Sequence, residues 1–416
     1  MSRKLWPTTI WLLILLLFVC LSAEKVGAAT NELDRISAHA YVLMDADSGQ
    51  VLKSRNAYMH LPPASMTKLM TLLLALEAIE QGKIKKTDRI IVSKKAASMD
   101  GARIYLESGE VMRLNDLLIS MVLASANDAS VAVAEKLGGS EEIFVKQMNK
   151  KAKVIGMQDS SFKNVSGMPD PDHYSSAYDM ALLAKYMLAN TPILEYSRMK
   201  QYTLRSGQFP IYNGNKLLWR YPGADGLKNG YTSKARNCLT ATAKRGQLRL
   251  IVVVMGCPLK GGQTADTTAL LDYGFNHYAS TRLMPAGKVF TSVKVNDGDA
   301  REVSAIVADE VTAIYPKSQG IAFTCRQDLL DSIDAPVKRG QKLGEMQIIY
   351  NGKLLKKVDL LAAANINQLN LWGHIARIPW GYKLVFFIII LLSAIRSFNL
   401  RRNQRRMASQ SRIKYF

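Results

Sequence analysis

Cysteine is scarce in this sequence: four in 416 residues, at Cys20, Cys238, Cys257 and Cys325. Cys20 lies inside an N-terminal apolar run, so three remain for the body of the chain. An odd, sparse set excludes a disulfide framework and leaves Cys238 and Cys257 to be free, buried thiols. Histidine is nearly as rare, five in all, and scattered. Without Cys/His clusters at metal-ligand spacing, neither a metal nor another cofactor is expected. Acidic residues are few as well, 34 Asp and Glu against 55 Lys and Arg, for a formal net charge of +21. Part of the excess sits at the ends, in Arg3, Lys4 and RRNQRRM (401–407), and the rest is spread out. No dense basic block carries interleaved aromatics, which argues against nucleic acid as a partner. A dispersed basic surface suits an anionic wall polymer or an acidic membrane face.

Two apolar runs mark the ends of the chain. Arg3 and Lys4 precede IWLLILLLFVCLSA (10–23), and Gly27, Ala28 and Ala29 follow. That order is a secretion signal over residues 1–29, cleaved near its end. Val19 before Cys20 is too bulky for the usual lipidation pattern. Near the C-terminus comes PWGYKLVFFIIILLSAI (379–395), with Trp380 and Tyr382 in front and an arginine cluster behind. Its uninterrupted part, 384–395, is shorter than the roughly 20 residues a bilayer span needs. Snorkelling by Lys383 and interfacial anchoring by Trp380 extend it. Residues 371–416 are therefore expected to be a membrane anchor with a basic tail, spanning rather than lying in the plane. With the arginines inside, the remainder sits on the outer face of the cytoplasmic membrane.

Between the ends, the length exceeds one average domain. AHAYVLMDADSGQVLKS (38–54) alternates, turns and alternates again, as a hairpin does. A helix opens at Ser65, runs through LMTLLLALEAIEQ and stops near Gly82; apolar residues on all its sides mark it as buried. LNDLLISMVLA (114–124) is a second helix, broken at SAND before ASVAVAEKL. Residues 164–179, rich in Gly, Pro, Asp and Ser, form a loop leading into MALLAKYML. CLTATAK (238–244) and LRLIVVVMG (248–256) form another hairpin, followed by the helix TADTTALLDYGFNHY. Strands at both ends with helices between predict an α/β (α+β) domain over 30–283, its mainly antiparallel sheet packed against helices. From 284 to 370 short strands at regular spacing, KVFTSVKV, VSAIVA, VTAIYP and MQIIYNGKLLKKVDLL, predict a small all-β domain.

The chemistry starts at PPASMTKLMT (62–71). Ser65 and Lys68 are neighbours on one helical face, where the free N–H groups of the first turn and the positive end of the macrodipole favour an oxyanion. A serine needs an adjacent base to act as nucleophile, and a buried lysine of lowered pKa can be that base. Alone, the pair also reads as a helix cap and a solvated side chain. Ser125-Ala126-Asn127 reads equally as capping, and Asn229-Gly230, after Lys228, as a type I′ turn. The three in order, S-x-x-K, S-x-N and K-x-G, are the signature of penicillin-binding proteins and active-site-serine β-lactamases.

The chain resembles the serine-type D-alanyl-D-alanine carboxypeptidases, the low-molecular-mass penicillin-binding proteins. The resemblance runs from about residue 36 to 370, through PPASMTKLMT, LLISMVLASANDASVAVAEKLGGS, GMPDPDHYSSAYDMALLAKYM, GADGLKNGYTSKARNCLTATAKR and LLDYGF. It implies a β-lactamase/transpeptidase-like fold and removal of the terminal D-Ala from peptidoglycan stem peptides. Penicillins, which mimic the D-Ala-D-Ala end, should acylate the same serine. Carried to matching positions, Ser65 is the nucleophile, Lys68 its base, and Ser125 with Lys228 the proton relay to the leaving group. Asn127 holds the substrate amide. The backbone N–H groups of Ser65 and Tyr231 form the oxyanion hole, and Asn229, Gly230 and Thr232 complete the binding wall. Two positions depart from the family: Asn229 replaces the usual Thr of Lys-Thr-Gly, and Gln263 stands where an arginine usually binds the substrate carboxylate. Lys260, Thr232 and Lys228 are candidates to compensate. A class A β-lactamase is the competing enzyme reading, but 164–179 lacks a Glu with an Asn four residues on. The motifs also fit a weakly active or inactive penicillin-binding scaffold, and a D,D-endopeptidase acting on cross-links.

Overall fold

The computed structural model of the chain describes residues 32–412; the expected signal segment, with Cys20, lies outside them. The described chain divides into two compact units. One comprises the residues up to Thr281 together with Thr312–Ala322, and the other Arg282–Val311 with the chain from Phe323 onward.

The first unit is built on a five-stranded antiparallel sheet. We label its strands β1 (Ala40–Asp45), β2 (Val51–Arg55), β3 (Ala224–Thr232), β4 (Arg236–Arg245) and β5 (Leu248–Cys257). Their spatial order is β2-β1-β5-β4-β3, so the first strands pair with the last, Val42 opposite Val253. The period-2 pattern divides each strand between two cores. Val42, Met44, Val253 and Met255 face a helical layer. Leu43, Leu239, Val252 and Val254 face the opposite side, with Leu270, Leu271 and Phe275 of a single helix. Burial on both faces explains why β5 reads as one continuous apolar run rather than an alternation.

The helical layer contains α1 (Lys68–Glu80), α2 (Leu114–Leu123), α3 (Asn127–Gly138) and α4 (Ala177–Asn190); the helix on the opposite face is α5 (Gly262–His277). α1 is buried nearly all round, as its composition requires, with Met70, Leu72 and Leu73 wholly enclosed. Truncating such a leucine to alanine costs about 2–5 kcal/mol. α5 is fastened by Asp266, whose buried carboxylate accepts the Ser37 and Ala38 N–H groups. Cys238 and Cys257 are buried free thiols, and Cys325 is an exposed one.

The second unit carries a six-stranded sheet of Val289–Asn296, Glu302–Val307, Phe323–Leu329, Ser332–Asp334, Lys342–Tyr350 and Lys353–Ala362. Phe323–Leu329 is almost wholly exposed and polar, so it carried no apolar alternation to announce it. The expected strand VTAIYP does form, at Val311–Pro316. From Thr312 on, however, it belongs to the first unit, where Ile314 packs in the core beside α5. The described residues end in a helix, α6 (Trp380–Arg412); its Trp380–Arg405 stretch is 26 residues long and holds an 18-residue window with a mean hydropathy of 1.9 and no burial. By length and composition this stretch suffices to cross a membrane.

Candidate active site

Ser65 lies in a short 3₁₀ turn, Ala64–Thr67, that feeds α1. Its side chain caps nothing; the α1 cap position is Thr67, also without a capping bond. Lys68 opens α1 and is fully buried. Its Nζ lies 3.0 Å from Ser65 Oγ, and it donates to Asn127 Oδ1 at 2.7 Å and the Ser166 carbonyl at 2.8 Å. Burial, reinforced by the Lys228 cation, holds the Lys68 amine well below its ordinary pKa. A neutral amine at this distance is within reach of the Ser65 proton.

Lys228 comes from the edge strand β3, opposite Thr240 of β4, whose hydroxyl donates to Met66 Sδ on the catalytic turn. It is buried, and desolvation lowers its pKa to about 7. Its ammonium donates to the Asn229 carbonyl at 3.1 Å and to Asn229 Oδ1 at 3.3 Å. Asn229 and Gly230 lie within the strand; the hairpin turn follows Thr232, so the type I′ reading does not hold. Gly230 is required by close approach: a Cβ there would stand 3.0 Å from Ser65 N and from the Pro63 carbonyl. The strand therefore presses its backbone onto the nucleophilic turn, beside the Ser65 N–H.

Ser125 occupies the α2–α3 break with a left-handed φ of 59°. Ala126, not Ser125, is the α3 cap residue, and the Ser125 hydroxyl makes no hydrogen bond with Lys68 or Lys228. Asn127 is buried, with Oδ1 on Lys68 and Nδ2 donating to the Asp100 carbonyl at 2.6 Å. Its visible work is to hold the base, and its amide donors are already engaged. Thr232 Oγ1 accepts the Ala235 N–H at 2.9 Å and so shapes the hairpin turn. The side chain of Tyr231 is exposed.

Sequence reasoning missed the role of the 164–176 loop. Asn164 Oδ1 gathers the N–H groups of Ser166, Gly167 and Met168, which aims the Ser166 carbonyl at Lys68. Gly167 has φ +85°, and a Cβ there would collide with the Ala64 carbonyl. Buried His173 accepts the Lys163 N–H at Nδ1, which leaves its Nε2–H to donate to Thr67 Oγ1 at 2.8 Å. Desolvation lowers its pKa to about 4. The available signal was the loop's Gly, Pro and Asp content beside a catalytic helix, since positioned loops carry function.

A cavity of about 370 Å³ is lined by Tyr231, Arg236, Asn237, Pro258 and Lys260. Arg236, the first residue of β4 after the hairpin turn, adopts φ 57°. Both cations lack an acidic partner within the described residues. Gln263, in the first turn of α5, has a buried Oε1 without a hydrogen-bond partner.

A serine, a buried amine of lowered basicity and a backbone strand pressed against a helix mouth make an arrangement suited to acyl transfer through a serine ester. The chain belongs to the D-alanyl-D-alanine carboxypeptidase family: residues 26–258 match that family's model, and 278–368 match the C-terminal domain of penicillin-binding protein 5. It is 38% identical to the D-alanyl-D-alanine carboxypeptidase DacF of Bacillus subtilis, over 88% of this chain and 95% of that one. Penicillin-binding protein 5 of Haemophilus influenzae superposes with a TM-score of 0.70 at 31% identity, covering 80% of this chain and 98% of that one. Penicillin-binding protein D2 of Listeria monocytogenes, solved in its ampicillin-bound form, matches with a TM-score of 0.54 at 30% identity, over 58% of this chain and 98% of that one.

Proposed function

We propose that this protein removes the terminal D-alanine from peptidoglycan stem peptides ending in D-Ala-D-Ala, through an ester on Ser65. The carrying observation is the 3.0 Å contact between Ser65 Oγ and the buried, weakly basic Lys68 amine. Ser65 Oγ attacks the carbonyl carbon between the two alanines while its proton passes to Lys68. The oxyanion is met by the N–H of Ser65 and that of Tyr231. The C–N bond then breaks, and the departing D-Ala amine takes a proton relayed from Lys68 through Ser125, with Lys228 beside it. Water hydrolyses the ester, releasing a peptide one residue shorter and restoring Ser65. Asn127 contributes by orienting Lys68. Any contact it makes with the substrate amide would require Nδ2 to leave Asp100.

A carboxypeptidase must read a carboxylate one residue beyond the scissile carbonyl, and a cation reads it best through a charge-assisted hydrogen bond. Gln263 is neutral, whereas Arg236 and Lys260 line the cavity beside Tyr231. We assign the carboxylate to that pair, and the carboxylate of a β-lactam to the same place. The unit of residues up to Thr281 is the catalytic one, the β-rich unit a spacer, and α6 an anchor that leaves both on the wall side of the membrane.

The test is D-Ala release from a D-Ala-D-Ala pentapeptide, with penicillin labelling in parallel. Ser65→Ala should abolish both. Release unchanged by Ser65→Ala would overturn the assignment, and rapid turnover of the penicillin adduct would favour a β-lactamase.

A further inference from the structure

The segment Asn213-Gly214-Asn215 belongs to no motif, yet it joins two of them. Both asparagines are buried, whereas Gly214 between them is exposed. Asn213 Nδ2 donates to the carbonyls of Ser197 and Met199 at 3.1 and 2.9 Å. Its Oδ1 accepts the Asn215 N–H at 2.9 Å. Asn215 Nδ2 donates to the Gly226 carbonyl at 3.1 Å, two residues before Lys228 in β3. On the other side, the Gly214 N–H donates to the Leu123 carbonyl at 3.3 Å, at the end of α2 and two residues before Ser125. The turn is thus bonded at one end to the segment bearing Ser125 and at the other to the strand bearing Lys228. Side-chain amides that bond backbone carbonyls in this way form a short, rigid strut.

Gly214 presents bare backbone to Asn229. A Cβ at 214 would stand 2.9 Å from Asn229 Oδ1, 3.0 Å from Nδ2 and 3.3 Å from Cγ. The φ of Gly214 lies outside the left-handed region, so the backbone itself accepts alanine. What position 214 cannot accept is a side chain while Asn229 keeps its place, with Oδ1 toward the Lys228 ammonium.

We propose that the 213–215 turn is a positioning element that sets the separation of Ser125 from Lys228, and that Gly214 is the matched partner of Asn229. An asparagine within K-x-G fits here because its neighbour across the cleft has no side chain. This rests on the assignment of Lys228 and Ser125 to the site. That assignment is tested separately by labelling at Ser65.

The experiment is a double-mutant cycle read as the second-order rate of penicillin acylation of the full chain. Gly214→Ala should slow acylation about tenfold, since small misplacements of positioning groups are costly. In an Asn229→Ser background, which removes the amide but keeps a hydrogen-bonding group, the same Gly214→Ala change should cost less than about threefold. Because Gly214 is exposed, both alanine variants should unfold at the parent's midpoint, which thermal melts check. An equal penalty in the two backgrounds, or no penalty in the first, would overturn the proposal. Loss of Ser65 labelling in the unmutated chain would instead overturn the assignment of the site.

Discussion

Lys228 is the residue whose proton should govern the pH profile. Burial favours its neutral form and brings its pKa to about 7, whereas its proposed role beside Ser125 in the proton relay requires the ammonium. Penicillin acylation per unit enzyme and ligand should therefore decline as pH rises through about 7. Lys228→Arg, with a cation that does not deprotonate, should lower the rate but remove the limb. A limb that persists near 7 in that variant would assign it elsewhere. Lys68 acts in the opposite sense: it must be neutral, and its depressed pKa supplies that form without alkaline conditions.

At the scale of elements, the 164–176 loop couples fold stability to acidity. His173 is held neutral, with a folded pKa of about 4 against an ordinary value near 6.5. Between those values the unfolded chain binds the extra proton and the folded chain does not, so stability rises with pH across that window and falls on acidification. The loss between pH 7 and pH 4.5 should be about 2 kcal/mol from this group. Urea unfolding at the two pH values measures it, and His173→Asn should flatten the difference by that amount. An unchanged difference would show that the imidazole is not the titrating group. Beyond its Gly, Pro and Asp content, this loop's work was not legible in advance. Its contribution to Lys68 is the Ser166 carbonyl, and any residue type supplies a carbonyl. Ser65, Lys68 and Lys228 could be read because their chemistry requires particular side chains at fixed spacing. The strut at 213–215 could not, because its meaning lies in Leu123 and Gly226, far away in sequence. The same limit explains residues 312–322: VTAIYP has the pattern of a strand, but pattern alone does not say which sheet's core Ile314 enters.

For the whole molecule, placement in the membrane turns on where the end of α6 lies. Trp380–Arg405, at about 1.5 Å per residue, is roughly 39 Å long, longer than the roughly 30 Å hydrocarbon core. Only the part before Arg396 is free of arginine, and its length is about 24 Å, so Arg396 would have to snorkel toward one interface. In the proposed span, with Trp380 and Tyr382 at the other interface, the arginines 401–405 would emerge on the far side, which the positive-inside tendency would make cytoplasmic. An in-plane helix would instead leave Trp380 and Asn403 on the same side. The native Cys325 is exposed on the β-rich unit and provides a reporter for the proposed outer-face placement. In intact cells a membrane-impermeant maleimide should label Cys325. In a Cys325→Ser, Asn403→Cys chain, labelling should appear only after permeabilisation. Labelling of residue 403 in intact cells would place the tail outside and turn α6 from a span into a surface helix, with Ser65 still on the wall side.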